Sequence, residues 1–138
     1  MTMKLNWMRG CATALVTPFK ADGAIDEERM RTLVDRQIRG GVSLLVPCGT
    51  TGESATMTEE EDARVIALTI EVARGRAKVI AGAGSNSTAA AIEYSKRFRD
   101  LGADAVLQVA PYYNKPTQEG LYAHFSAIAR AEIGRAHV

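Results

Sequence analysis

Two adjacent hydroxyls, two glycines and a carboxylate stand together in Gly49-Thr50-Thr51-Gly52-Glu53-Ser54, directly after the apolar run Ser43-Leu44-Leu45-Val46-Pro47-Cys48. Each threonine hydroxyl both donates and accepts a hydrogen bond, and the glycines let a ligand approach the main chain. Such a segment suits a small carboxylate, held by the hydroxyls and neighbouring N–H groups. In parallel α/β proteins ligands collect at the carboxyl ends of the strands, which is where this hexapeptide falls. A plain strand-to-helix connection has the same composition, so the segment alone leaves both readings open. Glu53 is expected to be a buried or loop-fixing acid rather than a proton donor, because nothing near it in sequence tunes it.

A second constellation is Pro111-Tyr112-Tyr113-Asn114-Lys115-Pro116. A phenol brought to a strand end can transfer protons, and a tyrosine pair serves equally well as packing in a proline-stiffened loop. Cys48 is expected to be a small buried residue at a strand end, since no histidine lies nearby in sequence to activate its thiol. Gly82-Ala83-Gly84-Ser85-Asn86 opens like a dinucleotide fingerprint, but Ser87 replaces the final glycine and only Asp104 stands near the expected acid. A tight βα turn accounts for it. His124 has no second ligand close in sequence and is expected at the surface or in a structural role; no metal site is visible.

These segments are carried by alternating strands and helices. The strand candidates are Cys11–Val16, Ser43–Pro47, Lys78–Ala81 and Ala105–Val109, each nearly continuously apolar, as strands covered on both faces are. Between them, Met30, Leu33, Val34 and Ile38 share one helix face; Ala63, Ile66, Ala67 and Ile70 share a second; Ala91, Tyr94, Phe98 and Leu101 share a third. Thr58-Glu59-Glu60-Glu61 reads as a capping box opening the second helix. Gly40-Gly41, Gly75 and Gly102 mark helix ends. A fourth helix is expected from about Thr117, with Leu121, Phe125 and Ile128 inward. The strand starts lie roughly 27 to 35 residues apart, the length of a βαβ unit. Four such units fit either a small doubly wound sheet or half of a (β/α)8 barrel, which runs to about 250 residues in full.

Composition narrows the function. The chain has 138 residues, 46% hydrophobic and 24% charged, with a formal net charge of +1. That balance suits one globular domain and gives no electrostatic reason to expect nucleic acid or an acidic membrane as partner. The first ten residues lack the apolar core of a signal peptide, and no apolar run approaches the ~18 residues that span a bilayer. Two cysteines without CxxC spacing fit a cytoplasmic protein.

Taken in order, Ala14-Leu15-Val16-Thr17-Pro18-Phe19, then GTTGES at 49–54, Val79-Ile80-Ala81-Gly82, and Pro111-Tyr112-Tyr113-Asn114-Lys115-Pro116-Thr117-Gln118-Glu119-Gly120-Leu121-Tyr122 resemble the N-terminal half of the dihydrodipicolinate synthase family. The wider family, which includes N-acetylneuraminate lyase, folds as a (β/α)8 barrel and joins pyruvate to a lysine as a Schiff base. The resemblance implies a lyase condensing pyruvate with aspartate semialdehyde on the way to diaminopimelate and lysine, without a cofactor. It implies a homo-oligomer in which Thr50 and Tyr113 belong to a proton relay, Tyr113 reaching into the neighbouring subunit, while Thr51 holds the pyruvate carboxylate. Tyr112 is placed at the dimer interface.

Ser54, Ala55, Asn86 and Tyr112 match the set that binds inhibitory lysine in sensitive members. Glu59 and Asp62 stand where those members carry histidines, and Ala90 replaces an acid that would pair with the lysine amino group, so feedback inhibition is expected to be weak or absent. The Schiff-base lysine and a second relay tyrosine belong to later strands. None of Lys4, Lys20, Lys78, Lys96 or Lys115 matches that lysine, and the chain is expected to be inactive by itself. Other pyruvate-dependent aldolases of the family, or a non-catalytic half-barrel that binds or dimerises, fit the same residues.

The expected organisation is therefore a half-barrel domain over 1–131 and a non-native tail over 132–138. The tail, Glu132-Ile133-Gly134-Arg135-Ala136-His137-Val138, has no apolar run, and it can be encoded by a nucleotide string that contains a common sequencing-library adapter.

Overall fold

The computed structural model describes residues 6–131, so the proposed tail at 132–138 and Lys4 lie outside the described residues. Helix signals in the sequence act as expected. Helix α1, Glu27–Arg39, is opened by Asp26, whose carboxylate accepts from the Arg29 N–H at 3.0 Å; Glu27 and Glu28 lie in its first turn, Arg36 and Arg39 in its last. Acids at the amino end and bases at the carboxyl end both oppose the helix dipole. Helix α2, Glu59–Ala73, carries the complete capping box: the Glu61 N–H donates to Thr58 Oγ1 at 3.2 Å, and the Thr58 N–H donates to Glu61 Oε2 at 2.8 Å. Ser87 caps α3, Thr88–Asp100, and α4 spans Gln118–Ala131.

The strands are β1, Ala12–Ala14; β2, Leu44–Val46; β3, Lys78–Gly82; and β4, Ala105–Leu107. β1, β2 and β4 are shorter than the apolar runs suggest, whereas β3 runs one residue past Ala81. Pro47 has no N–H to extend the ladder after β2, and Cys48 turns into the left-handed region at φ 58°. All neighbours pair in parallel in the order β1-β2-β3-β4, with Ala12 opposite Leu44, Leu44 opposite Lys78 and Ile80 opposite Ala105. That order decides between the two folds left open by the pattern. A doubly wound sheet reverses its strand order and carries helices on both faces. Sequential parallel strands with right-handed crossovers place every helix on one face and curve the sheet toward a barrel. The four βα units form half of a (β/α)8-type fold.

Leu15, Met30, Val34, Leu45, Ile66, Val79 and Phe98 join in one buried cluster between the sheet and its helices. The other sheet face departs from expectation. Strands β1 and β4 are not covered on both sides: Val16, just past β1, is 50% exposed and Leu107 is 44% exposed. Side chains alternate across a strand, and among the described residues no helix covers the second face. Leu101 is also exposed, because α3 ends at Asp100 and Leu101 caps it instead of continuing its inner stripe. In α4 the fully buried positions are His124 and Ile128, while Leu121 and Phe125 are half-buried. His124 is thus not a surface residue: its Nδ1 lies 2.9 Å from Thr88 Oγ1 on α3.

Candidate active-site cleft

A cleft of about 560 Å³ opens at the carboxyl ends of β2, β3 and β4. Its walls are built from the turns that follow those strands. After β2, Thr50–Gly52 forms a single 3₁₀ turn closed by the Gly52 N–H donating to Gly49 O at 3.0 Å and the Glu53 N–H donating to Thr50 O at 3.1 Å. Glu53 then reverses the chain at φ 60°, and a second 3₁₀ turn, Ser54–Thr56, leads into the α2 cap. Glu53 itself is exposed and its side chain makes no hydrogen bond among the described residues, so it is neither the buried nor the loop-fixing acid expected from the sequence. Its contribution is the left-handed backbone.

The loop is fixed from below by α2. Ser54 Oγ donates to Asp62 Oδ2 at 2.7 Å, and Cys48 Sγ contacts the Asp62 carbonyl at 3.6 Å. Burial and the Asp62 carboxylate push the Cys48 thiol far above its ordinary range, which removes it as a nucleophile. Asp62 Oδ1 is buried without a hydrogen-bond partner among the described residues. Burial raises the Asp62 carboxyl above its usual value, and the bond from Ser54 offsets part of that rise.

A carboxyl raised in the folded state stabilises fully only below its unfolded value, near 3.9, and that contribution is lost as pH rises through the folded value. Asp62→Asn keeps an acceptor for Ser54 and removes the buried charge. It is expected to raise the melting temperature at pH 7, with the gain fading to nothing as pH falls below about 3.9. A gain that does not change with pH in thermal melts would contradict this origin.

Of the residues singled out in the sequence, Cys48, Thr50, Ser54, Ala55, Glu59, Asp62 and Tyr112 line the cleft. Thr51 is exposed and Asn86 half-buried, and neither lines it. Tyr112 is 56% exposed and Tyr113 94% exposed, so neither phenol serves as packing within its own chain. Tyr113 and Lys115 both adopt positive φ, 69° and 43°, conformations that cost non-glycine residues about 1–3 kcal/mol each. The loop thus presents Tyr113 outward at some energetic cost.

Gly82 ends β3, and the segment after it runs without a turn to a bend at Asn86 and Ser87 before α3, not the tight turn the sequence suggests; Gly82, Gly84 and Ser85 contribute to the wall. Sequence reasoning missed Ser85 and Tyr94 as wall residues. Tyr94 stacks on Phe98 with ring centroids 6.1 Å apart, and burial followed by the Glu59 carboxylate raises its hydroxyl pKa. Its helical spacing read as core, and only its polar end signalled otherwise. Arg97 of α3 binds Glu59 and Glu60 at the start of α2, joining two walls. None of the described lysines lines the cleft, and Lys78 at the start of β3 is paired with Asp104 at 2.8 Å. Among the described residues no cluster of three metal-ligating side chains occurs, and no helix is long and apolar enough to cross a membrane.

The sequence of residues 7–136 matches the family described as "Dihydrodipicolinate synthetase family". The chain belongs to that family. Among the dihydrodipicolinate synthetase relatives, the 4-hydroxy-tetrahydrodipicolinate synthase of Koribacter versatilis is 56% identical over 125 residues, which is 90% of this chain and 42% of the relative. That of Phenylobacterium zucineum is 60% identical over 120 residues, 87% of this chain and 40% of the relative. The chain therefore spans about two-fifths of the length of these family members. A chloride-inhibited dihydrodipicolinate synthase from Acinetobacter baumannii, solved with pyruvate, superposes with a TM-score of 0.89 at 51% identity over 90% of this chain and 43% of that one. The Aquifex aeolicus synthase does so with a TM-score of 0.86 at 45% identity over 90% of this chain and 42% of that one.

Proposed function

We propose that the chain is the N-terminal part of a 4-hydroxy-tetrahydrodipicolinate synthase, condensing pyruvate with aspartate semialdehyde in diaminopimelate and lysine biosynthesis. In this reading Thr50 passes a proton between two tyrosines. A threonine hydroxyl is too weak an acid or base to act alone, but it can accept one proton while donating another. Thr51 holds the pyruvate carboxylate. Tyr113, presented outward after β4, supplies its phenol to a second subunit of a cytoplasmic homo-oligomer, with Tyr112 at the interface. The observation that carries the reading is the position of Thr50 in the wall of a cleft at the carboxyl ends of the strands.

The test joins this chain to the C-terminal portion of its Koribacter versatilis relative. With pyruvate and borohydride, the joined protein is expected to gain the mass of one reduced pyruvate adduct and to consume aspartate semialdehyde in a coupled assay. The 138-residue chain alone should do neither. Trapping of pyruvate without consumption of the semialdehyde would identify another aldolase of the family. Trapping of pyruvate by the chain alone would overturn the reading.

A further inference from the structure

We propose that Thr17 is a positioning residue: its buried hydroxyl tethers the Thr50–Gly52 turn to the end of β1 and so sets the aim of the relay hydroxyl. The proposal rests on the role given to Thr50 above. Thr17 is 5% exposed, and its Oγ1 donates to the Gly52 carbonyl at 2.7 Å across 35 residues of sequence.

The acceptor is one the turn cannot satisfy by itself. Gly52 is the last residue of the 3₁₀ turn, and the left-handed Glu53 carries the chain away before a further turn can use its carbonyl. The turn also lies hard against β1. A Cβ at Gly52 would sit 3.1 Å from the Leu15 carbonyl oxygen and 3.4 Å from Thr17 Oγ1. Close packing fixes the distance between turn and strand, and the hydrogen bond fixes the rotation of the Gly52 peptide.

That rotation matters because the relay residues have no anchor of their own. Neither Thr50 nor Thr51 makes a side-chain hydrogen bond among the described residues, so the main chain of the turn alone directs them. The two bonds inside the turn hold its shape but not its orientation on the sheet. Ser54–Asp62 holds its downstream end, and the packing of Cys48 over Gly82 holds its upstream end. The Thr17 bond is the tether between these two, directly beneath the threonines.

Two measurements test this. In the 138-residue chain, Thr17→Val should speed hydrogen exchange at the Gly52 and Glu53 amides at least tenfold, leaving the amides of β2 and β3 unchanged. Thr17→Ser, which keeps the donor, should exchange within threefold of the parent. In the chain joined to the C-terminal portion of its relative, Thr17→Val should lower kcat by about ten- to a hundredfold, the usual consequence of a displaced reacting group. KM for pyruvate should change by less than threefold, and Thr17→Ser should restore most of kcat.

A role in stability alone would lower the melting temperature of Thr17→Val but leave kcat, measured well below that temperature, at the parent value; that result overturns the proposal. Unchanged exchange at Gly52 and Glu53 overturns it too, as does Thr17→Ser behaving like Thr17→Val. If Thr17→Val does not fold, Thr17→Cys, with its weaker donor, should exchange at the Gly52 and Glu53 amides faster than both the parent and Thr17→Ser. Cysteine protecting the turn as well as threonine would then sink the idea. If the joined protein is inactive with Thr17 intact, the functional reading has failed, and exchange in the 138-residue chain still decides the tether.

Discussion

Gly82→Ala is expected to lower the melting temperature by more than about 10 °C, or to abolish cooperative unfolding altogether. A Cβ at this position would lie 1.9 Å from the Cys48 carbonyl oxygen, 2.4 Å from its carbonyl carbon and 2.9 Å from the Gly49 nitrogen. All three are main-chain atoms, so no side-chain rotation relieves the clash. Cys48 is held at φ 58°, and the Gly82 N–H donates to Pro47 O at 2.9 Å, so the two strand ends cannot separate without losing their ladder. Ordinary overpacking costs about 1–3 kcal/mol. A main-chain collision in a buried strand end should exceed that range, against a total stability of about 5–15 kcal/mol.

Gly49→Ala is the control, because a Cβ there meets nothing within 4 Å. It should melt within a few degrees of the parent. A Gly82→Ala protein that melts as the parent does would show that the two strand ends are looser than their contacts imply. The clash also bears on function: whatever moves Cys48 moves the turn that begins at the next residue and carries Thr50.

Thr50→Val should have the largest effect on activity and almost none on stability. Thr50 is exposed, and its side chain makes no hydrogen bond among the described residues, so an isosteric methyl removes no bond seen in the fold. Exposed substitutions of this kind stay within about 0.5 kcal/mol. In the chain joined to the C-terminal portion of its relative, loss of the proposed relay hydroxyl should cut kcat by about 10²–10⁴-fold. Thr50→Ser should recover much of that loss, since the hydroxyl returns at the same atom. Equal activity of Thr50→Val and the parent would remove Thr50 from the relay. The contrast with Gly82→Ala is diagnostic, because one change should leave a stable, slow enzyme and the other an unstable chain.

Much of this architecture is local and therefore legible. The capping box at Thr58 and Glu61 closes over three residues, and the chemistry needed to recognise it lies in the same short stretch. Apolar runs ended by Pro47 or by glycine turns announce strands for the same reason, although their ends were overestimated where a proline or a left-handed residue stops the ladder. The placement of GTTGES at a strand end follows from that alternation, and its residues together with the tyrosine loop were enough to indicate the family.

Other features were not legible because they depend on which strand lies beside which. Alternating strands and helices serve a doubly wound sheet and a barrel alike; the sequential order β1-β2-β3-β4 separates them. Apolar strand residues do not reveal whether a second layer covers them, and Val16 and Leu107 are exposed for want of one among the described residues. Glu53 carries an acid's signature, yet its backbone conformation is what the loop uses. Tyr94 has the spacing of a core residue but its ring borders the cleft.

By itself, then, the sequence determined the helices, the strand–turn positions and the candidate hydroxyls, since these rest on contacts within one or two turns of chain. Only the tertiary structure decided how the hydroxyls are aimed. The Thr17–Gly52 bond, the Ser54–Asp62 bond and the contact of Gly82 with Cys48 join different strands, turns and helices. Each is set by strand register and by the packing of α2 on the sheet, and neither quantity is written in the residues beside the contact.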